Sequence, residues 1–380
     1  MQFEFATASR IVFGAGKIRE VPAAVRNVGS RVLLVRGRTG ERSVTLVREL
    51  GGCVEFSVEG EPTIEHARRG AEVARTGRCD VVIGFGGGSA IDAGKAIAAL
   101  AANPGDVLDY LEVVGKGKPL PKESLPYIAI PTTAGTGSEV TRNAVLGSPE
   151  HKVKASLRSP SMLPSLAVID PELTLPLPPA STASTGLDAL TQLIEPLVSA
   201  RANPVTDQFC REGIRYVRQW LVRAYEEGND LEARTGMSYA SLLGGLSLAN
   251  AGLGVVHGFA APIGGMFPAP HGAVCAALLP WGMEANILAL RERDPGARAL
   301  MRYREIATLL TGNEDADALE GVECVREVCR RLEIPRLRAY GITDDHLPSL
   351  VEKAAKASSM KANPIVLTRG ELTAVVQSAL

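Results

Sequence analysis

The stretch "DVVIGFGGGSAIDAGKAIAALAAN" (80–103) constrains the fold more than any other part of the chain. Its opening run, "VVIGF", shows no alternation of polar and apolar residues. A strand that is apolar on both faces has to be covered on both, as in a parallel sheet layered between helices. Three glycines then let the backbone turn with no Cβ in the way, and a helix follows with Ser89 placed to cap it. The same order recurs nearby. "RVLLVRG" reads as a strand, "ERSVTLVRELGG" as an amphipathic helix with a Gly-Gly stop, "CVEFSV" as a strand and "TIEHARRGAEVARTG" as a helix. "LPYIAIPTT" supplies a further strand, "NAVLGSPEHKVKASLRSP" a β-excursion and "SLAVID" a last strand. This βαβα rhythm predicts a Rossmann-like α/β domain built on a parallel sheet. The segment "FEFATASRIVFG" near the N-terminus predicts a short hairpin at the sheet edge, a place where strands pair with another chain unless protected.

The rhythm breaks at "DPELTLPLPP" (170–179), where proline is dense. No comparable strand follows. Five later segments carry helical periodicity, beginning with "ASTASTGLDALTQLIEPLVSA" and ending with "DALEGVECVREVCRRLEI". A chain of 380 residues also exceeds one comfortable core. The expectation is a dinucleotide-binding α/β domain over residues 1–175 and an all-α domain over residues 176–380.

A formal net charge of −1 gives no basic face for nucleic acid, so a small-molecule substrate is expected. The six cysteines have no paired spacing and read as reduced, mostly buried thiols. The N-terminal segment lacks the pattern of a signal peptide, and no uncharged apolar run reaches the length of a membrane span. Together these predict a cytoplasmic protein.

Three constellations carry chemistry. The Gly-rich turn at Gly87, Gly88 and Ser89 can present backbone amides and a helix N-terminus to a pyrophosphate, although its glycines do not follow the GxGxxG spacing. The loop "IPTTAGTGSEVT" (130–141) ends another strand with hydroxyls and glycines, on the edge where doubly wound sheets bind ligands. A tight turn and an ordinary polar loop are the plain alternatives. Third, Asp188 and Gln192 lie one helical turn apart, while His257 and His271 stand fourteen residues apart in the otherwise apolar "HGFAAPIGGMFPAPHG". One carboxylate and two imidazoles suit Zn²⁺ or Fe²⁺, and a Gln carbonyl is a weak extra ligand. Two buried, hydrogen-bonded histidines are the alternative. His66, His151 and His346 read as solvated.

On "GGGSAIDAGKAIA", "PTTAGTGSEVT", "DPELT…P…A…TGLDALTQLIE" and "HG…P…PHG…LLP", in that order, the chain resembles the iron-containing (group III) alcohol dehydrogenases over essentially its whole length. The resemblance implies an α/β nucleotide domain followed by a helical domain, and an NAD(P)-dependent, metal-assisted interconversion of an alcohol and an aldehyde or ketone. Motif by motif, it places Gly87, Gly88 and Ser89 at the pyrophosphate, and Asp92 stands at a cofactor-binding position where the family often has Asp. It places Thr132, Thr133, Thr136 and Thr141 at cofactor-contacting positions, Lys154 near the nicotinamide ribose and Asn143 near the substrate. Asp188, His257 and His271 match three of the four metal ligands, whose ion is Fe²⁺ or Zn²⁺, and a homodimer is implied.

Two departures fall where the chemistry does. The family's second ligand is usually a His four residues after the Asp, and Gln192 stands there. A further His with a proton-relay role is Ala261 here. Similar glycerol dehydrogenases hold Zn²⁺ with one Asp and two His, whereas the similar maleylacetate reductases work without metal. A metal-free reductase would need a cationic pocket for its anionic substrate, and residues 257–272 contain no Arg or Lys. A lyase like dehydroquinate synthase would need several phosphate-binding cations, and "TGLDALTQLIEPLVSARANP" offers only Arg201. A non-catalytic nucleotide-binding protein is a further alternative. At the end of "RVLLVRG", members that prefer NAD often carry Asp at the position of Gly37. Gly37, with Arg36 or Arg38 to pair with a 2′-phosphate, implies that NADP(H) is accepted.

Overall fold

The computed structural model describes residues 2–37 and 43–380. The chain divides into two compact units. One contains Ala6–Thr133 and Gly137–Leu175, and the other contains Pro176–Leu380, Ala134–Thr136 and the N-terminal residues up to Phe5.

Among the described residues the α/β unit contains eight strands: β1 (Ile11–Phe13), β2 (Val32–Gly37), β3 (Val54–Val58), β4 (Val81–Gly86), β5 (Tyr127–Pro131), β6 (Asn143–Ser148), β7 (Val153–Arg158) and β8 (Leu166–Ile169). Its helices are α1 (Val21–Arg26), α2 (Val44–Glu49), α3 (Ile64–Thr76), α4 (Gly88–Ala102) and α5 (Val107–Tyr110). Six strands form a parallel sheet in the order β1-β8-β5-β4-β2-β3, and β6 and β7 form a separate antiparallel pair, the expected excursion. The inner strands β4, β5 and β8 are buried at every residue, whereas the edge strand β3 buries only Phe56 and Val58. Continuous apolar runs thus occupy the inner strands, where helices cover both faces. The N-terminal hairpin is not formed. β1 pairs in parallel with β8, where "IVF" meets "AVI" in register, and residues 2–10 are not in a strand.

The connection from β2 runs outward to β3, and the chain then returns to β4 on the other side of β2, so the order reverses between β2 and β4. Such switch points are where doubly wound sheets bind ligands. Gly37 ends β2 and Gly86 ends β4, side by side: a Cβ on Gly86 would stand 3.6 Å from the Gly37 amide. Gly86 has φ 152°, and that Cβ would also come within 2.8 Å of the Ala90 side chain. The turn into α4 therefore requires glycine on two counts.

The helical unit contains α6 (Pro179–Val198), α7 (Pro204–Glu226), α8 (Leu231–Ala251), α9 (Val255–Met266), α10 (His271–Arg293), α11 (Arg298–Thr311), α12 (Ala318–Arg331), α13 (Leu347–Ala355) and α14 (Arg369–Ala379). The five segments with helical periodicity are α6, α7, α8, α11 and α12. α10 is long and apolar enough to cross a membrane, but 72% of that apolar window is buried within the protein. It packs against α6, α9, α11, α12 and α14, which makes it the core helix of the unit.

Candidate active site and metal centre

The cap of helix α4 lies two residues earlier than expected. It is Gly87, with φ −73° and ψ −176°, and no side chain caps this end. Ser89 is therefore not the cap but lies inside the first turn. The amides of that turn are left without a side-chain acceptor, which is the condition under which a helix N-terminus takes an anion. Thr133 faces Gly87: a Cβ there would come within 3.3 Å of the Thr133 methyl and 3.5 Å of its hydroxyl. Thr132 is buried and its amide donates to the Gly86 carbonyl.

Asp92 and Thr141 are held by a lysine that does not stand out in the sequence. Lys95, buried in α4, donates to the Ser138 carbonyl (2.9 Å) and hydroxyl (2.7 Å), to Thr141 Oγ1 (2.9 Å) and to the Asn143 carbonyl. Its Nζ is 3.1 Å from Asp92 Oδ1. Asp92 also accepts from the Ser138 hydroxyl and, through Oδ2, from the Val145 amide at 2.9 Å. Burial lowers the Lys95 pKa against the opposing pull of Asp92. Burial also pushes the neighbouring Glu139 carboxyl up to about 7. The network ties α4 to the loop before β6 and to β6 itself. Lys154 on β7 pairs with Glu61 at 3.1 Å. Arg36 is spent on Glu55, at 2.6 Å, and Arg38 lies outside the described residues.

In the helical unit three helices bring Asp188 (α6), His257 (α9) and His271 (α10) together. Asp188 Oδ1 lies 3.5 Å from His257 Nε2 and 3.8 Å from His271 Nε2, and the two rings have centroids 5.5 Å apart. Asp188 is fully buried, and neither of its oxygens has a hydrogen-bond partner. The Gln192 amide oxygen is also buried and unpartnered. Burial would raise the Asp188 pKa, but His271, His257 and Cys275 outweigh it and hold the carboxyl below its usual value. For His257 burial acts downward, and Cys275, Asp188 and Glu195 reverse it, leaving the ring well above its usual value.

Two residues of this site were missed. Glu195, two turns beyond Asp188 on α6, accepts from His257 Nδ1 at 2.7 Å and from the Val256 amide at 2.7 Å. Cys275 lies one turn beyond His271 on α10, with Sγ 3.7 Å from His271 Nε2 and 3.8 Å from His257 Nε2. The available signal was helical spacing from a residue already singled out. All six cysteines are free, three of them buried. Of the histidines expected to be solvated, His66 and His346 are half-buried, each accepting through Nδ1 from a Thr amide at the start of a helical turn; only His151 is exposed. Ala261 lies on α9, one turn from His257.

A buried carboxylate and two imidazoles, converging with no hydrogen bond to satisfy the carboxylate, are the donor set of a divalent-cation site. With a glycine turn at the switch point of a parallel sheet, they define a nucleotide-dependent metalloenzyme class. The match to known proteins is specific. Residues 8–171 match the model of the iron-containing alcohol dehydrogenase family, and residues 182–380 match that of its C-terminal domain. Alcohol dehydrogenase 4 of Saccharomyces cerevisiae is 36% identical, over 97% of this chain and 96% of its own. The 1,3-propanediol dehydrogenase of Klebsiella pneumoniae is 35% identical, over 94% and 95%. Among solved structures, a 1,3-propanediol oxidoreductase superposes with a TM-score of 0.90 at 33% identity, covering both chains fully. The sulfoacetaldehyde reductase of Bifidobacterium kashiwanohense, solved with NAD⁺, has a TM-score of 0.85 at 28% identity, covering 99% and 98%. The chain belongs to the iron-containing alcohol dehydrogenase family and is an oxidoreductase of alcohols and aldehydes.

Proposed function

We propose that this chain interconverts a small alcohol and its aldehyde or ketone with a nicotinamide nucleotide, using a divalent cation held by Asp188, His257 and His271. The observation that carries the reading is the fully buried Asp188 carboxylate, which has no hydrogen-bond partner and has two imidazole nitrogens within 3.8 Å. An isolated buried carboxylate is costly, and a cation shared with the two rings removes the cost. Such an ion, when bound, supplies Lewis acidity toward the substrate oxygen.

The protein's own groups do the rest. Glu195 accepts the Nδ1 proton of His257 and so leaves Nε2 as the free donor atom. Val255, Val256, Phe259, Ala260 and Ile263 bury the rest of α9 and keep water from that wall. In the α/β unit, Gly87, Gly88 and Ser89 receive the pyrophosphate on the amides of the first α4 turn. Thr132, Thr133 and Thr136 supply hydroxyls to the cofactor. Lys154 serves the nicotinamide ribose and Asn143 the substrate. Asp92 and Thr141 act by holding this loop through Lys95. Gly37 leaves the end of β2 without the carboxylate that would repel a 2′-phosphate, which supports acceptance of NADP(H) beside NAD(H). The place of β1 at the end of the strand order supports a homodimer, since edge strands pair with another chain unless protected.

The test is elemental analysis of the purified protein, followed by an NADH- and NADPH-consumption screen over short aldehydes and keto acids. One divalent ion per chain, with turnover that chelation abolishes and re-addition restores, is expected. Full turnover in metal-free protein would refute the reading.

A further inference from the structure

We propose that Cys275 is itself a ligand of the metal, and that the ion this chain selects is zinc. The proposal rests on the metal reading above and adds a sulfur donor to it. Cys275 follows His271 by one turn of α10, so both side chains leave the same face of the helix. One donor atom each from Asp188, His257, His271 and Cys275 lie within 4.8 Å of one another.

The separations decide what these atoms are spaced for. Nitrogen, oxygen and sulfur atoms that bind one zinc tetrahedrally, at about 2.0–2.3 Å, stand about 3.3–3.6 Å from each other. The observed separations are 3.5 Å and 3.8 Å from Asp188 Oδ1 to the two imidazoles, and 3.7 Å and 3.8 Å from the thiol to the same two rings. The carboxylate–imidazole pairs stand beyond hydrogen-bond length, and all four separations are close to the spacing around a shared ion.

Donor strength points the same way. A thiolate brings the ion a full negative charge on a soft donor atom. The rival fourth donor, Gln192, is a neutral amide, and its oxygen lies beside Gly244 of α8, 3.5 Å from where a Cβ would stand. On binding, the Cys275 Sγ–H proton leaves to solvent and a sulfur–metal bond forms, with no change of oxidation state. A set of two nitrogens, one oxygen and one sulfur suits zinc, which binds such ligands more tightly than ferrous iron does and can take the substrate oxygen as a fifth ligand.

The experiment reconstitutes metal-free wild-type protein, Cys275→Ser, Cys275→Ala and Gln192→Ala with Co²⁺, and separately with Zn²⁺. Wild type should take up one Co²⁺ per chain and show an intense thiolate-to-cobalt charge-transfer absorption in the near ultraviolet. That band should vanish in both Cys275 variants and persist in Gln192→Ala. Zinc affinity, read by competition with a chromophoric chelator, should fall by about tenfold or more in the Cys275 variants. If circular dichroism shows that the variants do not fold, X-ray absorption of zinc-loaded wild type decides, with one sulfur neighbour expected at about 2.3 Å. Wild type that binds cobalt without the band, or zinc without a sulfur neighbour, overturns the Cys275 assignment and leaves the three-residue site standing. Wild type that binds no ion overturns both. Preferential uptake of Fe²⁺ from an equimolar mixture with Zn²⁺ under anaerobic conditions overturns the zinc assignment.

Discussion

Replacing Glu195 by Gln should weaken metal binding without touching a ligand. Both carboxylate oxygens of Glu195 accept a hydrogen bond at 2.7 Å, one from His257 Nδ1 and one from the Val256 amide. The residue is 5% exposed, so water cannot take over either bond. A Gln amide has one acceptor and one donor at the same two places. With its oxygen toward His257, its NH2 group confronts the Val256 N–H. Turned round, the NH2 confronts the Nδ1 proton and favours the tautomer that carries the proton on Nε2, which cannot ligate. In the first case a buried donor loses its acceptor, at about 1–3 kcal/mol; in the second the ring gives up its free Nε2. The loss falls on metal affinity, because it is the metal-ready form of His257 that Glu195 holds. An outer partner of this kind is worth about 10–100-fold in affinity, or about 1.4–2.8 kcal/mol. The assay is a zinc titration of metal-free protein against a chromophoric chelator. In parallel, the metal-induced rise in Tm should shrink in the variant, since that rise follows the logarithm of ligand concentration over Kd. A folded Glu195→Gln protein whose zinc affinity stays within about twofold of wild type, well below the range expected for such partners, would refute the reasoning.

Gly37→Asp should shift kcat/KM toward NAD by about 1–3 kcal/mol relative to NADP, the size of one charged hydrogen bond to the ribose together with repulsion of a 2′-phosphate. A Cβ at Gly37 meets nothing within 4 Å, so the variant should fold, and unchanged preference would place 2′ discrimination elsewhere. Burial raises the Glu139 pKa to about 7 from its ordinary value of 4.5, with Lys95 opposing, so the native state holds this proton more tightly than the unfolded chain. Its contribution is therefore complete below about pH 4.5 and lost as pH rises through 7, by about 3 kcal/mol at most. Tm differences between wild type and Glu139→Gln should accordingly move in favour of the variant between about pH 5 and pH 7.5, and a difference that is flat with pH would show that Glu139 stays ionised throughout. Gly213→Leu should unfold the helical unit, since even a Cβ there would come within 2.4 Å of Leu193 on α6; native-like circular dichroism and Tm would count against that packing.

The α/β unit was legible because its inner strands are buried on both faces and so announce themselves as uninterrupted apolar runs. The helical unit was legible only in part, for the complementary reason. α7 and α12 each have one buried face and one wet face, and the period of that contrast is what a sequence displays. α10 is buried on nearly every side, so its apolar residues have no period to read, although it is the helix around which the unit packs. Ser89 was misplaced as a cap because a serine after glycines looks like one; the backbone of Gly87 takes that position instead. Lys95 was overlooked inside "AGKAIAALAA", where a lone cation in an apolar helix signals a buried network.

The candidate site shows where sequence reasoning stops and how far it could be pushed. Asp188, His257 and His271 stand out because their residue types are scarce in apolar surroundings, and type alone suffices to single them out. Glu195 and Cys275 do not stand out by type. A glutamate near a helix end reads as solvated, and a cysteine reads as a small apolar residue. What marks them is position relative to residues already chosen: seven residues from Asp188 in one case, four from His271 in the other, both on the face that the ligand occupies. A metal site on helices is assembled from faces rather than from segments. Once one ligand is fixed, the residues one and two turns away on its own helix are the first that can reach the same ion or its partners. Applied to α6, that rule returns Gln192 and Glu195; applied to α10, it returns Cys275. Only the third dimension then tells Glu195 from Cys275: Glu195 stands behind His257, and Cys275 faces both imidazoles.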